Sequence, residues 1–254
     1  MSKLRPGVDA GKRLFACSDL TVWQSVDELH DEDIVDRVKD LKKVQQQYRA
    51  LGDQLLRIDG ASLSKKDLLL VVQWKFLVGK PRQALLKHLN ANTEHSVQQH
   101  STAAIQLARS IPTFTAGTND RSDAKAEIKQ AIEALTNLHG VGPATASAVL
   151  SLVRPDVFAY MYDEAIESCG LKRTYNMTTY LAVNEHCQSV ADKLGIRAWT
   201  TARVARALWT ASRAKAFGLY DHTTSLTQNK TLKRVDEQSQ KANPEKKRQK
   251  RSQT

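Results

Sequence analysis

The chain has 254 residues, enough to bury a sizeable core in one or two domains, and 38 Lys and Arg against 27 Asp and Glu leave a formal charge of +11. That balance favours a polyanionic partner over a basic one. Cys17, Cys169 and Cys187 form neither a CxxC pair nor an even disulfide set, no apolar run reaches the roughly 20 residues of a membrane span, and the opening "MSKLRPGVDAGKRLF" lacks the apolar core of a secretory signal. A reducing compartment and no membrane are the expectation.

In chain order, residues 1–30 show no sustained periodicity and are expected to be an irregular lead-in. Their "GVDAGKR" lacks the spacing and the Ser or Thr of a phosphate loop. From Ile34 the apolar positions Val38, Leu41, Tyr48, Leu51 and Leu55 fall at helical steps, which predicts one long amphipathic helix. "SLSKKDLLLVVQWKFLVGKP" starts at a capping Ser64 with Asp67 behind it and stops at Gly79 before Pro81. This helix is apolar nearly all round, interrupted by Gln73 and Lys75, and should be central. Short helices near Arg82–Leu89 and Glu94–Ser110 follow, ended by Pro112 and the turn-rich "TFTAGTNDRSD". Helices are predicted over about Ala124–Asn137, through Val183–Leu194 with Gly195 as the stop, and over Trp199–Phe217. No useful strand pattern occurs, so the fold class is all-α, with a helical domain over 31–220. Residues 221–254 form a polar, basic tail. Its stretch 228–254 carries nine basic and three acidic side chains, a net +6, and is expected to be disordered.

Between two of these helices stands "LHGVGPATASAVL", residues 138–150. Pro143 suits the first position of a helix, where its missing N–H costs nothing, and Gly142 before it permits an unusual backbone angle. Ala146, Val149, Leu150 and Val153 then make a stripe able to pack on the preceding helix, so residues 124–153 read as helix, tight turn, helix. Gly140, Val141 and Gly142 would offer backbone N–H groups at a helix N-terminus, where a phosphate can approach, with Val141 folded inward as an anchor. A hairpin whose glycines serve only close packing is the alternative.

The stretch resembles the helix-hairpin-helix of DNA glycosylases related to endonuclease III. Their pattern Leu-x-Gly-Val-Gly-x-x-Thr-Ala is matched by Leu138, Gly140, Val141, Gly142, Thr145 and Ala146. A closer resemblance, over roughly residues 63–168, is to a eukaryotic group with a Trp-Lys helix (Trp74–Lys75), the same hairpin and an Asp-Glu pair (Asp163–Glu164), from which no activity can be carried over. The superfamily resemblance implies a helical glycosylase-like domain. It also implies backbone contacts to duplex DNA by Gly140, Val141, Gly142 and Thr145, and a catalytic aspartate at Asp163, 21 residues beyond Gly142. Where superfamily members with strand-cleaving activity carry a Schiff-base lysine, this chain has Ala144, so that resemblance implies an enzyme without lyase activity. The cluster-bearing members need four cysteines after the hairpin, and only Cys169 and Cys187 follow it, so no cofactor is expected.

A fixed carboxylate at Asp163 could stabilise the sugar cation that develops as an N-glycosidic bond breaks, or it could simply cap a helix through Ala165–Cys169. Excision also requires a pocket and a wedge for an extruded base, for which Trp74, Tyr160, Tyr162 and Trp199 are candidates. Lys172 and Arg173 stand close enough in sequence to contact phosphate. His95 and His100, five apart, lie on different helix faces with no completing ligands, so no metal is expected. The tail's "KKRQKR", with Lys233–Arg234 upstream, resembles a bipartite nuclear-import signal. The expectation is a nuclear DNA-binding protein. Two alternatives are a monofunctional glycosylase using Asp163 and a protein-interaction scaffold.

Overall fold

Ser64 does what its chemistry dictates at a helix start. Its Oγ accepts the Asp67 N–H at 3.1 Å while the Asp67 carboxylate accepts the Ser64 N–H at 2.9 Å, a reciprocal cap that opens α4 (Lys65–Val78). The computed structural model describes residues 7–112 and 122–219, and among the described residues every regular element is helical. Besides α4, these are α1 (Val8–Ala16), α2 (Leu20–Leu29), α3 (Leu41–Arg57), α5 (Ala84–Asn90), α6 (Glu94–Ser110), α7 (Ser122–Thr136), α8 (Pro143–Val153), α9 (Asp163–Ser168), α10 (Met177–Leu194) and α11 (Thr201–Ala216). The basic tail beyond 219, with its import motif, lies outside the described residues, as does most of the turn-rich stretch before α7.

Three expectations need correction. Residues 1–30 are not an irregular lead-in: α1 and α2 occupy most of this span, with Val8, Ala10, Leu14, Trp23 and Val26 buried. Tertiary packing rather than propensity holds α1. A Cβ at Gly11 would lie 2.1 Å from Ser168 Oγ and 2.9 Å from Ser212 Oγ, so glycine lets α1 press against both α9 and α11. The helix expected from Ile34 starts at Leu41. His30–Ile34 forms a π turn and Val35–Arg37 a 3-10 turn, after which Asp40 enters the left-handed region at φ 64° and redirects the chain. Burial of Ile34 and Val35 fixes this corner. Finally, α10 begins at Met177, capped by Asn176 Oδ1 accepting the Thr179 N–H at 2.9 Å, well before the predicted periodic run.

Helix α8 runs through the middle of the molecule. Every residue from Ala144 to Leu150 is buried, and α3, α4, α6, α7 and α10 pack around it. Helices α1, α2, α9 and α10 gather instead on α11. Trp209 of α11 joins the two groups by donating its indole N–H to the Val78 carbonyl at the end of α4, at 2.9 Å. Asp27 ties α2 to the same helix, accepting from Arg203 Nε at 2.9 Å and Arg206 Nη2 at 2.8 Å. No helix among the described residues is long and apolar enough to cross a membrane.

Candidate nucleic-acid interface and the cavity beside it

The connection between α7 and α8 is a tight turn held from outside. Asn92, buried at the corner between α5 and α6, accepts the His139 N–H through Oδ1 and donates through Nδ2 to the His139 carbonyl, both at 2.9 Å. Val141 donates its N–H to the Leu138 carbonyl at 3.1 Å and turns its side chain into the core. The amides of Gly140 and Gly142 take no part in these bonds.

The two glycines differ. Gly140 sits at φ 76°, and a Cβ there would fall 3.0 Å from His88 Cβ and 3.2 Å from the Leu89 backbone nitrogen. Glycine is required for both reasons. Gly142, where the sequence suggested the unusual angle, is in ordinary extended conformation at φ −105°, ψ −179°. A Cβ there would meet nothing within 4 Å, so its surface is open to a ligand.

Both glycines line a cavity of about 240 Å³, whose other walls include the end of α4, the segment 160–163 and Tyr175. Asp163 is among the lining residues. Its carboxylate accepts the Tyr175 O–H at 2.7 Å and lies 4.0 Å from an Arg173 Nη1. Asp163 is not the cap of α9, because Tyr162 occupies the capping position and Asp163 is the first helical residue. The neighbouring acid goes elsewhere: Glu164 is buried with its Oε1 3.2 Å from Arg213 Nη2 of α11. The Asp-Glu pair therefore divides, one carboxylate on the cavity and the other on the core side of α9.

An aromatic wall backs the cavity. Tyr160 and Tyr162, which line it, meet edge-on with ring centroids 4.4 Å apart; behind them Trp74 meets Tyr160 at 4.8 Å and stacks on Tyr48 at 4.0 Å, and these last two rings line a separate cavity instead. Burial pushes the phenols of Tyr160 and Tyr162 above their usual range, so both stay neutral near pH 7. Trp199 takes no part; it packs against Trp23 at 5.5 Å in the other helix group. At the mouth stand the exposed Lys80 and Arg82, with the Arg82 guanidinium 4.5 Å above the Tyr175 ring.

Lys75 enters the same cavity from α4. Its Nζ donates to Thr145 Oγ1 at 2.7 Å. Burial, reinforced by the nearby charge of Arg82 and opposed by that of Asp163, pulls the ammonium from 10.5 down to about 8.

Of the residues singled out from the sequence, the structure thus gathers Gly140, Gly142, Thr145 and Asp163 around one cavity, with Ala144 beside them. Thr145 is only 1% exposed, and its hydroxyl accepts a hydrogen bond from Lys75. Arg173 is committed to α9, its Nε 2.6 Å from Glu167 Oε1, whereas Lys172 is exposed. Sequence reasoning missed Lys75 as a site residue, reading it as an interruption in an apolar helix; a lone Lys on such a helix was the available signal. It also missed the Asn92 clamp, for which no local pattern exists. Among the described residues no three His, Cys, Asp or Glu side chains gather where they could hold a metal ion. Compared with family models, curated proteins and solved structures, the chain matches none.

Proposed function

We propose that the protein binds duplex DNA through the backbone of the 137–142 turn, acting as the helix-hairpin-helix that its sequence resembles, and that the adjoining cavity receives one nucleotide drawn out of the duplex. The observation that carries this reading is the shared lining: Gly142, exposed on the turn, and Asp163, 21 residues later, face the same space. Amides at the N-terminal end of α8 suit a phosphate, and Lys80 and Arg82 at the mouth add positive charge. The aromatic wall suits a flat base or sugar removed from the stack. At about 240 Å³ the cavity lies below the roughly 300–1,000 Å³ of drug-sized sites, which fits one compact group rather than a longer ligand.

A second reading, cleavage of the N-glycosidic bond of that nucleotide, is favoured by the placement of Asp163. Its carboxylate, held by Tyr175, could stabilise positive charge developing on the sugar. The basic tail would then hold the protein in the nucleus, near its substrate.

The test is duplex binding across a salt series by the full chain, a chain ending at residue 219, and Gly142→Asp. Because a side chain at Gly142 has open space and an ordinary backbone angle, the variant should fold normally and change only the charge facing the phosphate. A salt-sensitive affinity that survives tail removal and falls in the variant supports the reading. Equal binding by the folded variant refutes the contact at the turn, and no binding by any form leaves a protein-interaction scaffold.

A further inference from the structure

The wall formed by Tyr160 and Tyr162 has a second side. There a separate cavity of about 260 Å³ is bounded by α3, α4, α8 and α11, and its lining holds the guanidinium groups of Arg49, Arg203 and Arg206 but no carboxylate. Cations gathered in this way repel one another, so the fold has to hold them. Asp27 does so for Arg203 and Arg206, and Asp31 accepts from Arg49 Nη2 at 2.6 Å. Two carboxylates against three guanidiniums leave one positive charge over.

The hydrogen bonds show which donors are spent. Arg203 gives Nε and Nη2 to Asp27 and Nη1 to the Ala198 carbonyl at 2.9 Å. Arg206 gives Asp27 only Nη2, and its Nε is buried without a partner. Arg49 likewise commits only Nη2. Gln45, also in the lining, accepts the Trp74 indole N–H through Oε1, and no bond among the described residues uses its Nε2. What remains for a ligand on the Arg and Gln side chains is therefore a set of donors, carried by two helices. Thr200 and Ala202 bring the start of α11 into the wall, where the positive end of its dipole adds to the charge. Unspent donors, surplus positive charge and the lack of any acid in the lining together suit an oxyanion.

We propose that this cavity binds the terminal phosphate of a small organic phosphomonoester. Phosphate fits better than carboxylate because Arg49, Arg206 and Gln45 offer three donor groups, matching three terminal oxygens rather than two. A terminal group fits better than the phosphodiester of a nucleic acid because the site is a recess, and about 260 Å³ admits one end of a molecule rather than a continuous strand. Tyr48 and Trp74 are buried and stacked on each other, so the phosphate, not a stacked ring, carries the recognition. The inference does not rest on the DNA-binding reading, which concerns the cavity beside Gly142.

The test titrates the full chain calorimetrically with phenyl phosphate at fixed ionic strength, with inorganic phosphate as competitor and benzoate as the carboxylate counterpart. Expected is one saturable site, displaced by inorganic phosphate, at which benzoate binds at least about tenfold more weakly. Arg49→Gln and Arg206→Gln should each weaken phenyl phosphate by about tenfold or more, the loss of one charge-assisted donor. Gly142→Asp should leave it bound. Arg49 and Asp31 form an exposed pair, so Arg49→Gln should keep the parent's melting temperature and separate lost binding from lost folding. Undiminished binding by Arg49→Gln overturns the proposal, as does the absence of binding by both phenyl phosphate and inorganic phosphate. Many weak sites unaffected by either substitution, the signature of the basic tail, overturn it too, and benzoate binding as tight as phenyl phosphate overturns the choice of phosphate. Duplex DNA that displaces phenyl phosphate and itself loses affinity in Arg49→Gln would make the recess part of a DNA interface and refute a small-molecule site. Phenyl phosphate held at one site by a chain that binds no duplex supports the proposal while removing the DNA-binding reading.

Discussion

Replacing Lys75 by Met deletes the buried ammonium while keeping a flexible chain of similar reach along α4. The depression of its pKa from 10.5 to about 8 amounts to about 3 kcal/mol of native-state penalty for the charged form. Solvent at the cavity mouth reduces that figure, and loss of the bond to Thr145 costs about 1 kcal/mol. The Met variant should therefore be more stable by about 1–2 kcal/mol at pH 7, or roughly 3–6 °C in melting temperature for a domain of this size. The sign follows from the direction of the shift. A lysine whose folded pKa lies below its unfolded value carries its full penalty below about pH 8, and the parent recovers stability as the pH climbs from about 8 to 10.5. Urea unfolding of both proteins from pH 6 to 10.5 should show the advantage of Met shrinking across that window. A Met variant less stable than the parent at pH 7, or an advantage that does not change with pH, would refute the reasoning. A residue that weakens the fold and can be improved upon so simply is expected where function rather than stability holds it in place.

Gly140→Ala should cost about 2 kcal/mol in urea unfolding, from the left-handed backbone and the contact with Leu89, while Gly142→Ala should change stability by less than about 0.5 kcal/mol. Asp27→Asn leaves the guanidinium groups of Arg203 and Arg206 without their anion and should destabilise by about 2–3 kcal/mol, measured in the same way.

Where the chain marks its own elements, the marks are local. Ser64 with Asp67, and the turn at Gly140–Gly142 before Pro143, are read from neighbouring residues because caps and turns are satisfied by neighbouring residues. The cavity was legible at its two family-like landmarks, Gly142 and Asp163, whose separation along the chain could be counted. Lys75 was not, since what makes it unusual is a hydroxyl 70 residues away and a wall of rings contributed by other segments. The N-terminal helices were missed for the same kind of reason. Asp19 does accept the Thr21 N–H at 2.8 Å, and Trp23 and Val26 share a face, but α1 contains a glycine that is unfavourable in an isolated helix and valuable only against Ser168 and Ser212. The left-handed angle was assigned to the wrong glycine because Pro143 suggested a special neighbour, whereas the crowding is set by His88 and Leu89 from α5.

The packing of α1 and α2 against α11 has a consequence for synthesis. Asp27 and Arg203 are 176 residues apart, and α1 rests on α9 and α11. At translation rates of about 5–20 residues per second, the first two helices wait roughly 10–35 s before the surface that covers Trp23 and Leu14 has been made. During that interval a nascent chain displays apolar side chains that the finished protein hides, which makes it a natural client for chaperones. A ribosome that stops before residue 201 releases a product in which α9, and the aspartate at its start, lacks its brace. The cavity is thus complete only when nearly the whole folded domain has been synthesised, and partial chains should carry the motif without the site.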